Sequence, residues 1–138
     1  MLDKKIIINA DDFGLSASVN QAIIDVFLRG NLTSATLMVN MPGTEHAVAL
    51  ARQHPGLSVG LHFCLTEGYA VTGVSSLTDA SGRFFPRQTQ IARCASGKVK
   101  LADIRAEFCA QAAFFAQRQL PMAHLDSHQH IHMAPLVF

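Results

Sequence analysis

Two adjacent carboxylates, Asp11 and Asp12, close an apolar run that starts at Ile6, in the order Ala10-Asp11-Asp12-Phe13-Gly14. At the end of a buried strand they repel one another and lose solvation, so a cation is the expected compensation. Matching ligands stand elsewhere in the chain, in Gly60-Leu61-His62 and in the run His124-Leu125-Asp126-Ser127-His128-Gln129-His130-Ile131-His132. Two imidazoles and a carboxylate on one divalent ion leave coordination positions open for water and substrate, as a catalytic site requires. Such an ion lowers the pKa of bound water towards ~7 and polarises a carbonyl oxygen, while a neighbouring carboxylate takes the proton. Asp11 or Asp12 can be that base. The pattern implies a metal-dependent hydrolase.

Spacing ranks the histidines. His128, His130 and His132 share a face if their segment is extended, whereas His124, His128 and His132 share one if it is helical. His128 belongs to both sets and is the best ligand candidate. His132 and Asp126 are expected to sit behind the ligands or to act as acid–base groups. His130 is expected to be solvated or structural, and His46 and His54, on a helix or at its end, to lie on the surface. Two rival chemistries fail on context. Asp-Phe-Gly also holds Mg²⁺ in protein kinases, but no Gly-rich loop, strand lysine or catalytic loop accompanies it here. Thiol catalysis by Cys64 beside His62 lacks an orienting partner, and consecutive strand residues point to opposite sides.

The elements that must position these groups follow from periodicity. Residues 5 to 10 read as a strand and residues 16 to 29 as a helix with Val19, Ile23, Ile24 and Phe27 on one face. Ser16 or Ser18 can cap its start and Gly30 its end. A second strand from Thr33 to Asn40 leads through Pro42-Gly43 into a helix ending near His54, and a third strand runs from Leu57 to Phe63. In that strand Ser58, Gly60, His62 and Cys64 alternate against Leu57, Val59, Leu61 and Phe63, so His62 points away from the bulky layer. The stretch from Thr66 to Pro86 is long and rich in Gly, Ser and Thr, which suits either a substrate loop or a surface insertion. Residues 101 to 119 form a helix with Ile104, Phe108, Ala112 and Phe115 towards the core, and Met122 to Asp126 a short fourth strand. The βαβαβ order, with strands apolar enough to be covered on both sides, predicts an α/β fold with a parallel sheet or barrel. Ligands bind at the carboxyl ends of such strands, where these motifs fall.

Composition bounds the remaining choices. The 138 residues are 49% hydrophobic with a formal net charge of +1, enough for one domain with a core and no footprint for nucleic acid or an anionic membrane. Neither a signal-peptide apolar region of roughly 7 to 15 residues nor a span of about 18 is present, so a cytoplasmic location is expected. The three cysteines Cys64, Cys94 and Cys109 are odd in number and unevenly spaced, which predicts free thiols. No Gly-rich or basic phosphate cradle is visible, which argues against phosphoester hydrolysis.

Taken together, Asn9-Ala10-Asp11-Asp12-Phe13-Gly14, Thr33-Ser34, Gly60-Leu61-His62-Phe63 and His124-Leu125-Asp126-Ser127-His128-Gln129-His130-Ile131-His132-Met133 resemble the YdjC-like family, specifically its chitooligosaccharide deacetylases. The resemblance implies a distorted (β/α) barrel of the polysaccharide-deacetylase type, with this chain as a single domain covering about its N-terminal half. It implies Asp12, His62 and His128 as metal ligands, Asp11 as the base that activates water, and Mg²⁺ as the cofactor, although two imidazoles suit Zn²⁺ or another transition metal better. His132 is carried with Asp11 as a catalytic candidate. The implied reaction is hydrolysis of an N-acetyl group from N-acetylglucosamine units of short chitin oligosaccharides, such as diacetylchitobiose. The alternative is a metal-containing sugar-binding or regulatory protein without turnover. Members of that family are markedly longer, so either a longer gene product or a homodimer is expected to cover the exposed strand edge.

Overall fold

The computed structural model describes residues 6–137. Four parallel strands, β1 (Asn9–Phe13), β2 (Ser34–Leu37), β3 (Ser58–Phe63) and β4 (Leu125–Ser127), lie side by side in chain order. Helices α1 (Ala17–Leu28) and α2 (Thr44–Gln53) connect the first three strands, while α3 (Arg87–Ala95) and α4 (Leu101–Gln117) precede β4. This is the parallel α/β arrangement expected from the element order. Among the described residues β1 and β4 each pair on one side only, and Leu125 on β4 is exposed. No described helix is long and apolar enough to cross a membrane.

Strand alternation sorts the sheet into two chemistries. Ala35, Leu37, Val59, Leu61 and Phe63 face a core that also takes Ile23 and Ile24 of α1, Ala47 and Val48 of α2, and Ile104 and Phe115 of α4. The opposite face is polar, with Ser34 and Thr36 of β2, His62 of β3 and Asp126 of β4. Pairing places His62 directly beside Asp126 and Thr36 beside Gly60. Gly60 is small for a reason: a Cβ there would lie 2.7 Å from the His124 ring, which covers the strand at that point. Gly60→Ala should therefore push the ring off its contacts with Ser34 and Asn9 and cost about 1–3 kcal/mol in a urea-unfolding experiment.

Four expectations need correction. The first strand is not residues 5 to 10: it starts at Asn9 and carries both aspartates within it, because pairing with β2 begins at Asn9 opposite Ser34. Ile6 and Ile7 are exposed rather than buried, and residue 5 lies outside the described residues. The fourth strand begins at Leu125, three residues later than read. Helix α3 escaped the periodicity reading because its buried residue is a glutamine, Gln90, where an apolar one marks most helices. Phe108 packs against the core from α4 as expected, but Glu107 and Gln111, which no apolar period marks, occupy the deepest positions of that helix.

Those buried polar residues shape the long stretch after β3. Glu107 accepts hydrogen bonds from Val71 N and Thr72 N, each at 2.9 Å, from Thr72 Oγ1 at 2.6 Å and from Gln111 Nε2 at 2.7 Å. Gln90 Nε2 donates to the carbonyls of Leu65 and Leu77, and Asp103 accepts from Ser76 N. The stretch is thus pinned to α3 and α4 by side chains that satisfy backbone groups no sheet reaches.

Candidate metal centre

Asp12 reaches the site through a local distortion of β1. Between Ala10 and Phe13 the register shifts, so that three steps along β1 match two along β2, and Asp12 adopts φ +62°. This is a one-residue bulge with a left-handed residue in it. A regular strand would send Asp11 and Asp12 to opposite faces. The bulge instead delivers both to the polar end of the sheet.

Three ligand atoms converge there. Asp12 Oδ1 lies 2.9 Å from His128 Nδ1 and 3.3 Å from His62 Nε2, and those two nitrogens are 3.3 Å apart. Asp12 Oδ1 is buried and accepts no well-aligned hydrogen bond. An anionic oxygen in that setting, with two imidazole nitrogens aimed at the same point, is a donor set that suits a cation. The residues fit a divalent metal, and Asp12, His62 and His128 are the group that could hold it.

Each imidazole has a carboxylate on its far side. His62 Nδ1 donates to Asp126 Oδ1 at 2.6 Å, while His128 Nε2 meets Glu67 Oε2 at 2.9 Å. Such partners fix the tautomer and ring orientation of a ligating histidine. Burial pushes the Asp126 carboxyl up, but the hydrogen bond and charge of His62, helped by Thr36 and His124, outweigh it and hold the group below the usual carboxylate range. Thr36 Oγ1 ties this side together, 3.1 Å from Asp126 Oδ2, 3.2 Å from His62 Nδ1 and 3.4 Å from Asp11 Oδ1.

The other candidates fall in different places. Asp11 is exposed, accepts from Asn9 Nδ2 at 2.8 Å, and forms a second group with His62 and Asp126. The His-rich run is neither extended nor regularly helical: His128–Met133 is a 3₁₀ segment kinked by positive φ at Gln129 and His130. His128 is thereby turned inwards and His130 outwards into solvent. His132 is not a member of either ligand group; its ring bonds Ser127 Oγ beside β4. Burial pushes the Cys64 thiol up to about 11, so it is protonated at neutral pH and is no nucleophile. Sequence reasoning missed Glu67 and Thr36. Thr36 was legible as a polar residue in phase with Ser34, whereas Glu67 sits on a turn that no periodicity reports.

A parallel α/β sheet with an aspartate and two histidines gathered at its carboxyl end defines an α/β protein with a candidate metal-ligand site. The family model of the YdjC-like proteins matches residues 5–138, and the chain belongs to that family. It is 47% identical over 132 residues to a carbohydrate deacetylase of Geobacillus stearothermophilus, a match covering 96% of this chain and 52% of that relative. It is 40% identical over 138 residues to a chitooligosaccharide deacetylase of Serratia marcescens, covering 99% and 54%. The chain thus spans about half the length of the curated relatives it matches. A crystal structure of an Enterococcus faecalis V583 protein named for cellobiose-phosphate cleavage superposes with a TM-score of 0.83 at 34% identity, covering 94% of this chain and 50% of that one.

Proposed function

We propose that this protein takes part in metal-dependent deacetylation of carbohydrate, hydrolysing the N-acetyl group of N-acetylglucosamine units in short chitin oligosaccharides such as diacetylchitobiose. The observation that carries the reading is the convergence of Asp12 Oδ1, His62 Nε2 and His128 Nδ1, with Asp12 Oδ1 otherwise unpartnered. The names of the relatives support the carbohydrate and the acetyl group. A divalent ion held by these three residues would acidify water and polarise the amide carbonyl.

The chain's own groups do the rest. Asp11 is the carboxylate assigned to proton abstraction, because it is exposed to water, held by Asn9 and Thr36, and not used in the Asp12 group. Asp126 keeps the His62 proton on Nδ1 and so keeps Nε2 free to ligate. The departing amine's proton is assigned to His132, whose ring is held by Ser127 Oγ beside β4. Hydrolysis of the C–N bond then yields acetate and a free amine. Two imidazoles and one carboxylate favour Zn²⁺ or another transition ion over Mg²⁺, which prefers all-oxygen octahedral sites.

Acetate release from diacetylchitobiose by the purified protein, stripped and reloaded with Zn²⁺ or Mg²⁺ in turn, tests this. Release with a reloaded ion and none after stripping is the expected result. Binding of metal and sugar with no acetate under any ion would instead identify a sugar-binding protein without turnover.

A further inference from the structure

We propose that Glu67 is a positioning residue of the metal centre: it accepts a hydrogen bond from the Nε2–H of His128 and so presents the bare Nδ1 to the point where Asp12 and His62 converge. The inference rests on the metal-centre reading above and adds the residue that prepares one of its ligands. His128 faces carboxylates at both ring nitrogens, Asp12 Oδ1 at 2.9 Å from Nδ1 and Glu67 Oε2 at 2.9 Å from Nε2. A neutral imidazole has one proton to place. On Nδ1 it would point at Asp12 and cover the lone pair that must ligate. Glu67 is the counterweight that draws it to Nε2.

His62 receives the matching help from Asp126, because it ligates through the opposite nitrogen. Its Nε2 faces the centre and its Nδ1 donates to Asp126 at 2.6 Å. The two histidines therefore present different nitrogens, and each requires a carboxylate on a different side. Asp126 comes from the strand next to His62. Glu67 comes from the turn after β3, and that turn is built to hold it. Asn40 Nδ2 donates to the carbonyl of Glu67 at 2.8 Å and to that of Tyr69 at 3.2 Å, and the Cys64 thiol donates to the Glu67 carbonyl at 3.4 Å. Gly68 follows with φ +73°, and a Cβ there would come within 2.7 Å of Met41 Sδ and 2.9 Å of Asn40 Nδ2. The backbone of Glu67 is thus anchored to the loop after β2, which leaves its side chain to be aimed at His128.

Two measurements test the assignment. In long-range ¹⁵N–¹H spectra of the metal-free protein at pH ~9, above ordinary imidazole titration, His128 should carry its proton on Nε2, and Glu67→Ala should move it to Nδ1. Zn²⁺ titration calorimetry should show affinity falling about 10- to 100-fold in Glu67→Ala, with Glu67→Gln recovering most of it because the amide oxygen still accepts from Nε2–H. A wild-type His128 protonated on Nδ1 overturns the proposal whatever the variants do. So does Zn²⁺ affinity in a folded Glu67→Ala equal to wild type, or a Glu67→Gln as weak as Glu67→Ala. Failure of the wild type to bind Zn²⁺ would count against the metal centre itself, while the tautomer spectra would still decide the role of Glu67.

Discussion

Asp12→Asn is expected to empty the metal centre without unfolding the chain, whereas Asp11→Asn is expected to stop turnover and leave metal affinity unchanged. Asparagine at residue 12 keeps the side-chain shape and tolerates the left-handed backbone that Asp12 adopts at φ +62°. What it loses is the anionic oxygen at 2.9 Å from His128 and 3.3 Å from His62. Removing a ligand should weaken binding by more than the ~10- to 100-fold seen when only its supporting partners are changed. At residue 11 the same substitution leaves the Asp12, His62 and His128 group intact and removes a proton acceptor. Turnover should fall by about 10²- to 10⁴-fold, the usual contribution of general-base catalysis. Zn²⁺ calorimetry beside acetate release separates the two outcomes. Loss of metal from Asp11→Asn would show that both aspartates ligate.

Glu107→Ala should be among the most destabilising single changes away from the centre. The carboxylate of Glu107 is fully buried and accepts four hydrogen bonds, from two backbone N–H groups, a hydroxyl and an amide. Truncation leaves those donors buried and unpaired, at a cost of about 1–3 kcal/mol for each that water cannot reach. Allowing for partial rehydration of the Val71–Thr72 turn, a loss of roughly 3–5 kcal/mol is expected, comparable to breaking a buried ion pair. A domain of ordinary stability holds only about 5–15 kcal/mol in total. Urea unfolding should therefore show a much lower midpoint. A shift worth less than about 1 kcal/mol would mean that the stretch after β3 is solvated around Glu107 rather than clamped by it.

The two residues whose roles are easiest to test were also among the most legible. The charge anomaly of Asp11-Asp12 and the alternation of His62 in β3 needed only the period of a strand to be read. The parallel order of β1 to β3 followed from apolar strands separated by amphipathic helices. Legibility failed where polar side chains do the packing. Glu107, Gln111 and Gln90 are all buried because the stretch after β3 offers backbone groups that need partners, and no pattern of apolar residues announces such a need. The bulge in β1 was foreseeable only as a requirement, since two consecutive aspartates had to reach one end of the sheet. Its position depended on where β2 begins to pair, which the sequence of β1 alone does not contain. Glu67 was invisible for the opposite reason: its importance lies in a single nitrogen of a residue 61 positions away.

The left-handed backbone at Asp12 sets folding and chemistry against each other at one residue. A side chain in that conformation costs on the order of 1–3 kcal/mol that glycine would largely avoid. Selection for stability alone would drift towards glycine at this position and lose the ligand. An engineer seeking a sturdier scaffold would find residue 12 among the easiest places to improve, and would discard the centre by doing so.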